Sequence, residues 1–367
     1  MRLTIEQPQL LKSLQAIEHA VNDRSALPIL ANVLLEAQEQ ELVLTATDLD
    51  VGVRYRLPLA QTGEGGAVTL PARRFATIIR ELPEEPVTIE VKQNHNAIVS
   101  CGASRFRVLG LPPEDFPVLP PLEDAGTFEI PQPLLKGLLV NTAFAMSMEE
   151  TRFILNGALF KTDGQKLVVA ATDGRRLAVA SANGVPRGAK PLAAVVPAKT
   201  VRELSRLLQD DAEEPAVIAP IQDNQLVFRL GAASVVTRLI EGQFPQYETV
   251  IPAPSSSVLT CSRPLLADAV RRASLMTTAT SQAVVFELTN EAVIVSKESA
   301  ELGSAREELP AAYHGEPMTI AFNPEFWLDA LKVLPQDELA IEVAAPDKPA
   351  VIRLPDFLYV VLPMKLA

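Results

Sequence analysis

The sequence is poor in the residue types from which reactive centres are usually built. It holds two cysteines, Cys101 and Cys261, three histidines, His19, His95 and His314, and one tryptophan, Trp327. That count excludes a Cys/His metal cluster, and two cysteines in strand-like runs supply no disulfide framework, so a reducing compartment is expected. Aromatic residues make up only 5% of the chain. Long apolar runs are missing as well, since Lys136 and Asn141 interrupt the longest, near 134–146. The opening MRLTIEQPQLL reads as neither a signal nor a transit peptide, so a cytoplasmic protein without membrane partners is expected. No Gly-rich phosphate loop, G-x-S-x-G elbow or His–carboxylate constellation is present. Catalysis is therefore poorly supported, and no catalytic residue, metal ligand or cofactor is assigned.

What the chain does have is length and repetition. Its 367 residues, 48% of them apolar, suffice for two or three buried cores. Pro 30 exceeds Gly 17, which suggests many short elements with defined turns. The net charge of −12 argues against a simple nucleic-acid coat unless the cations are gathered on one surface.

Three motifs recur in one order. The first is PQLLKSL (8–14), PLLKGLL (133–139) and PLLADAV (264–270). The second is TLPARRFATIIREL (69–82), VVPAKTVRELSRLL (195–208) and AFNPEFWLDALKVL (321–334). Its Pro71, Pro197 and Asn323 are each 126 residues apart. The third is LVLTATDLDVGVR (42–54), LVVAATDGRRLAV (167–179) and, more faintly, AVIVSKESAELGS (292–304). Three tandem domains are expected, over 1–124, 125–253 and 254–367, with Pro/Gly/Ser-rich breaks near 122–127 and 252–257. Each domain also halves into a strand, a helix and three alternating strands, a unit made six times per chain. The fold class is α+β, with two helices per domain packed on antiparallel sheets.

The helix faces carry a second pattern. Lys199, Arg202 and Arg206 fall at i, i+3 and i+7 on one stripe, opposite Val201, Leu204, Leu207 and Leu208. Arg73 and Arg80 share a face of the helix after Pro71, and Lys12, Lys136, Arg271, Arg272 and Lys332 add cations to the other helices. Recurrence of such stripes in an acidic protein predicts a shared basic surface that meets a phosphate backbone without reading bases. Asp48 and Asp50 could be offered as paired metal-binding carboxylates. The second repeat has Asp173 and Arg175 there, so a hairpin-turn role is expected instead. His95 is expected in a solvated turn and Trp327 in helix packing.

The segments TLPARRF, RFILNGALF, AATDGRRLAVAS, EGQFPQYETVIP and the terminal YVVLPMKL together resemble the bacterial DNA polymerase III β subunits, the sliding clamps. The resemblance runs the length of the chain. It implies a non-catalytic head-to-tail homodimer, a ring of six DNA-clamp domains whose twelve helices line a hole threaded by duplex DNA. Twelve helices at roughly 9 Å spacing enclose a lumen of about 24 Å once a helix thickness of about 10 Å is removed. The implied partners are double-stranded DNA without sequence preference, the DNA polymerase III catalytic subunit, the clamp loader, and other polymerases and repair proteins bearing clamp-binding motifs.

The resemblance also implies sites. Arg24, Arg73, Lys199 and Arg206 would face the duplex, alongside Arg202 from the stripe. A partner-peptide groove would be built from Leu155, Thr172, Gly174, Arg175, Arg176, Leu177, Pro245 and Val250. The terminal strand would add Val360, Val361, Leu362, Pro363, Met364 and Lys365. Phe106 would meet Leu275 and Met276 across the dimer junction. Glu149 stands where a neutral amide is common, and 277–284 lacks the basic residues usual in that loop, which implies weaker direct DNA contact. A β-rich peptide- or carbohydrate-binding scaffold would explain the repeats but not the basic stripes. A nuclease would need paired carboxylates that the repeats do not keep.

Overall fold

The computed structural model describes residues 1–367 except 24, 39, 60, 61, 93, 121–126, 185–189, 222, 223, 366 and 367. The expected break at 122–127 therefore lies almost wholly outside the described residues, as does Arg24. The break at 252–257 is described and fastened down: the Ser255 amide donates to Glu342 (3.3 Å) and Arg353 donates to the Pro252 carbonyl (3.2 Å).

The first repeat contains β1 (Arg2–Glu6), α1 (Gln7–Ile17), β2 (Asn32–Gln38), β3 (Glu41–Thr47) and β4 (Val51–Pro58). Its second half is β5 (Thr62–Glu64), β6 (Gly66–Pro71), α2 (Ala72–Glu81), β7 (Pro86–Val91), β8 (Asn96–Cys101) and β9 (Ser104–Leu109). The second repeat contains β10 (Phe128–Ile130), α3 (Gln132–Ala143), β11 (Gly157–Thr162), β12 (Lys166–Thr172) and β13 (Arg176–Asn183). It continues with β14 (Leu192–Pro197), α4 (Ala198–Leu207), β15 (Ala216–Ile221), β16 (Gln225–Leu230) and β17 (Ala233–Arg238). The third contains β18 (Val258–Ser262), α5 (Arg263–Ser274), β19 (Val284–Leu288), β20 (Ala292–Ser299) and β21 (Gly303–His314). It ends with β22 (Met318–Phe322), α6 (Pro324–Val333), β23 (Glu338–Val343), β24 (Ala350–Leu354) and β25 (Phe357–Val361). Strand, helix and three strands thus recur six times, and the short β5 is the one addition.

Half-repeats are not independent. The lone first strand of each pairs with the three-stranded sheet of the other half: β1 with β7, β6 with β2, β10 with β15, β14 with β11, β18 with β23 and β22 with β19. Every sheet would lose a strand if a half were removed, so the halves must fold together. Repeats are joined in the same way. β4 pairs with β17, and β13 pairs with β25, giving sheets of eight and twelve strands beside one of five. This pairing draws the two compact units across the repeat limits, as Met1–Lys136 with Lys199–Leu239, and Gly137–Ala198 with Ile240–Ala367.

Helical spacing decides what is buried. On α1, Leu10, Leu14 and Ile17 lie in the core, and on α4 Val201 and Leu204 do. The sequence pattern would carry the first helix through Val21, yet α1 ends at Ile17 and gives way to a short 3-10 turn, Glu18–Ala20. The reason lies on α4. Arg206 donates to the carbonyls of Gln15 and Ala16, each at 2.7 Å, and so satisfies two of the orphan carbonyls of the last α1 turn. Trp327 is 2% exposed and packs against Phe286 and Phe322, the helix-packing role expected of it.

Candidate functional site

The turn between β12 and β13 sets up one edge of a groove. Asp173 accepts through Oδ1 from the amides of Arg175 (2.9 Å) and Arg176 (3.0 Å), while the Thr172 hydroxyl donates to the Arg176 carbonyl (2.6 Å). Gly174 takes φ +87 within it, a left-handed conformation that glycine adopts without strain. The first repeat builds the same turn: Asp48 Oδ1 accepts from Asp50 and Val51, and Leu49 sits at φ 82. Asp48 and Asp173 are therefore turn-forming residues in both repeats, as the sequence comparison of TDLD with TDGR led one to expect.

Past the turn, Leu177 lies opposite Val360 in the β13–β25 register. These two, with Leu155 and Tyr247, belong to a buried apolar cluster. The pocket above it has a volume of about 230 Å³. Ten of the residues expected at the peptide groove line it: Leu155, Thr172, Gly174, Arg175, Arg176, Leu177, Pro245, Val250, Val360 and Leu362. Gln246 and Tyr247 line it too and were missed. Tyr247 stood inside the quoted EGQFPQYETVIP and was the signal that could have found it. Val250, 60% exposed, forms the rim.

The remaining expected groove residues sit elsewhere. Val361 shares a register row with Arg176, is 1% exposed and does not line the pocket, because neighbouring strand residues point to opposite faces. Pro363, Met364 and Lys365 line a neighbouring cavity of about 500 Å³ with Thr319, Ile320, Ala321, Pro346, Asp347 and Leu362. Leu362 borders both. The Met364 amide donates to the Ala321 carbonyl at 2.7 Å, which stitches the terminal segment to β22.

Arg176 anchors the groove floor. Its guanidinium reaches Asp173 (3.0 Å) and Asp329 (2.7 Å) and lies 4.5 Å over the Phe326 ring. Burial works against its charge, but the hydrogen bond to Asp329 and the nearby Tyr359 and Asp173 outweigh it and raise its pKa. Burial pushes the Tyr247 hydroxyl up to about 12, with Glu248 adding to the effect. Glu248 itself is held below the usual carboxylate range by the hydrogen bond from Lys161. At neutral pH the groove thus presents a neutral phenol, a fixed cation and mostly apolar walls.

The expected DNA-facing cations are largely engaged. Lys199 pairs with Asp48, Arg73 with Asp23 (2.7 Å) and Arg206 with Glu203 (2.8 Å), while Arg202 lies exposed on α4 with a partner of its own. Lys136, Arg271 and Arg272 pair with Asp210, Asp268 and Glu307, each at 2.6 Å. The expected junction residues are accessible. Phe106 is 39% exposed on β9, the edge of the five-stranded sheet, and Leu275 is 69% exposed just past α5, with Met276 half-buried beside it.

Among the described residues, six strand–helix–strand units and an apolar groove walled by a turn and two strands define a repeat-built α+β protein. Three consecutive family models match: the N-terminal domain of the DNA polymerase III β subunit over residues 1–120, the central domain over 129–246 and the C-terminal domain over 248–365. The β sliding clamp of Vibrio cholerae is 34% identical over 370 residues and that of Escherichia coli 33% over 371, each pair of chains being covered in full. Among solved structures, the Pseudomonas aeruginosa DNA polymerase III β subunit has a TM-score of 0.93 at 32% identity, with full coverage of both chains. The Bartonella birtlesii clamp, solved bound to griselimycin, reaches 0.94 at 32% identity, also with full coverage. The chain belongs to the DNA polymerase III β subunit family, the β sliding clamps.

Proposed function

We propose that the chain is a DNA sliding clamp, a non-catalytic processivity factor that encircles duplex DNA and tethers the replicative polymerase. The observation that carries this reading is full-length likeness to β sliding clamps, with all three domain models in order. The working form is a head-to-tail homodimer in the cytoplasm. In it β9 of one copy meets the end of α5 of the other, and Phe106 inserts against Leu275 and Met276. The exposure of those apolar side chains in a single chain supports the junction. A heterologous contact that closes after two copies avoids open fibres and covers the β9 edge.

DNA is held by topology, and Arg73, Lys199, Arg202 and Arg206, with Arg24, touch its phosphates. Surface ion pairs are each worth only about 0–1 kcal/mol, so exchanging Asp23 for a phosphate costs little and leaves the ring free to slide, while Asp48, 11% exposed, keeps its turn amides as partners when Lys199 turns to a phosphate. The groove above Leu177 and Val360 takes a short apolar peptide motif, and the neighbouring cavity beside Met364 extends it. The polymerase catalytic subunit, the clamp loader and repair proteins compete for it, because one pocket holds one segment at a time. The test is titration of a fluorescent Leu/Phe-bearing peptide against the intact protein and a variant lacking 363–367. Weaker binding by the truncated protein is expected, and equal affinity would move the groove away from the C-terminus.

A further inference from the structure

One cation is built unlike the others. Lys297, on β20, is only 6% exposed, and its side chain shares a strand face with Val293 and Val295, both fully buried. Among the described residues its side chain makes one hydrogen bond, from the ammonium to the Ser281 hydroxyl at 2.6 Å. Arg271 and Arg272, at the end of the preceding helix α5, each have a carboxylate, whereas Lys297 has none within ion-pair distance among the described residues. No acid occurs between Asp268 and Glu287 in the chain. A buried ammonium without a counter-charge is costly, so the site is one that an anion would complete.

The chemistry of the turn above it supports that reading. An ammonium only donates, so the Ser281 oxygen must accept, and its own proton remains available to donate. Ser281 is exposed. Mutual hydrogen bonds between the Thr278 and Ser281 backbones close the turn, at 3.2 and 3.1 Å. The Thr278 and Thr280 hydroxyls pair at 3.2 Å, which consumes one of their two protons and leaves the second free. The turn thus displays hydroxyl donors, that of Ser281 polarised by a buried positive charge, which suits an acceptor-only oxyanion.

We propose that Lys297, through Ser281 and the Thr278–Thr280 pair, forms a phosphate-binding site in the third repeat. The inference rests on the clamp reading and extends it by naming a further contact for the DNA backbone. A free phosphate-bearing molecule offers the same chemistry.

The test uses the full-length protein and a short duplex whose binding is followed by fluorescence anisotropy across a salt series. Lys297→Met should lower the log–log salt slope by about 0.9, the value of one phosphate contact, and Ser281→Ala should weaken binding by a smaller factor. Unchanged slope and affinity in both variants, with unchanged melting curves, would overturn the site. If Lys297→Met fails to fold, Ser281→Ala decides alone; it also removes the hydrogen-bond partner of the Lys297 ammonium, so its melting curve is recorded beside its affinity, and unchanged affinity counts against the site. If inorganic phosphate shifts the Thr278–Ser281 amide signals and the duplex does not, the site holds but serves a free phosphate. Loss of the dimer in Lys297→Met at an unchanged slope would give the lysine to the subunit junction and overturn the phosphate site. Retention of the wild-type protein on nicked circles is measured in parallel. Retained protein with unaltered variants sinks only this site, whereas loss of retention sinks the clamp reading.

Discussion

Arg176 and Lys199 are both cations from the second repeat, and both pair with aspartates, yet they sit in opposite kinds of place. The Arg176 side chain is 10% exposed, bridges two carboxylates and lies over an aromatic ring. The Lys199 side chain is 39% exposed and meets a single aspartate. The first is part of the groove's scaffold; the second is a surface charge that can change partners. The difference teaches that a cation's value for binding depends on what it would have to give up. A groove needs a fixed floor, whereas a sliding surface needs contacts that are cheap to break.

The largest effect expected from this contrast is Arg176→Ala. It leaves the mostly buried Asp173 without its cation, Asp329 being able to turn to solvent, and should destabilise the protein by about 3 kcal/mol, readable as a lower denaturant midpoint. A change as small as that of a surface residue would erase the distinction. Arg206 stands between the two classes, because it caps α1. Arg206→Ala should cost about 1–2 kcal/mol of stability in the same unfolding measurement, so it is a poor probe of DNA contact alone. On the groove rim, Val250→Ala should weaken peptide binding by about 1 kcal/mol while stability stays within about 0.5 kcal/mol, because the side chain is mostly exposed until a peptide covers it. Lys199→Ala should change stability by less than about 1 kcal/mol, and together with Arg202→Ala should lower the salt slope of duplex binding by up to about 1.8.

The smallest effect at neutral pH belongs to Tyr247. Its folded-state pKa lies above the ordinary phenol value of 10.0, at about 12. Its contribution to stability is therefore intact below pH 10 and is lost as the pH rises through about 12. Unfolding midpoints should fall across that window, and Tyr247→Phe should flatten the fall. An identical alkaline profile in both proteins would show that the groove phenol is not its source.

Much of the fold was legible because period and punctuation agree. Apolar spacing on α4 and the TDLD/TDGR turns are local properties, and local properties survive in a sequence. The groove residues came from the resemblance carried by the AATDGRRLAVAS and YVVLPMKL segments, since no local property places Val360 opposite Leu177. Partner choice was not legible. Nothing near Lys199 in the chain announces Asp48, which is 151 residues away, and nothing near Arg206 announces the carbonyls of Gln15 and Ala16. The fates of Val361 and Met364 were hidden for another reason: strand alternation turns Val361 away from the pocket, and the β22 pairing draws Met364 to the second cavity. The β4–β17 and β13–β25 joints are likewise products of tertiary pairing, and no repeat count reveals them.

Retention on DNA of different topology tests the central claim most directly. Protein assembled on nicked circular DNA should stay bound through a high-salt wash and be released when the circle is cut. Salt-stable binding to linear and circular DNA alike would contradict the account, as would release from both, because neither outcome requires a closed ring.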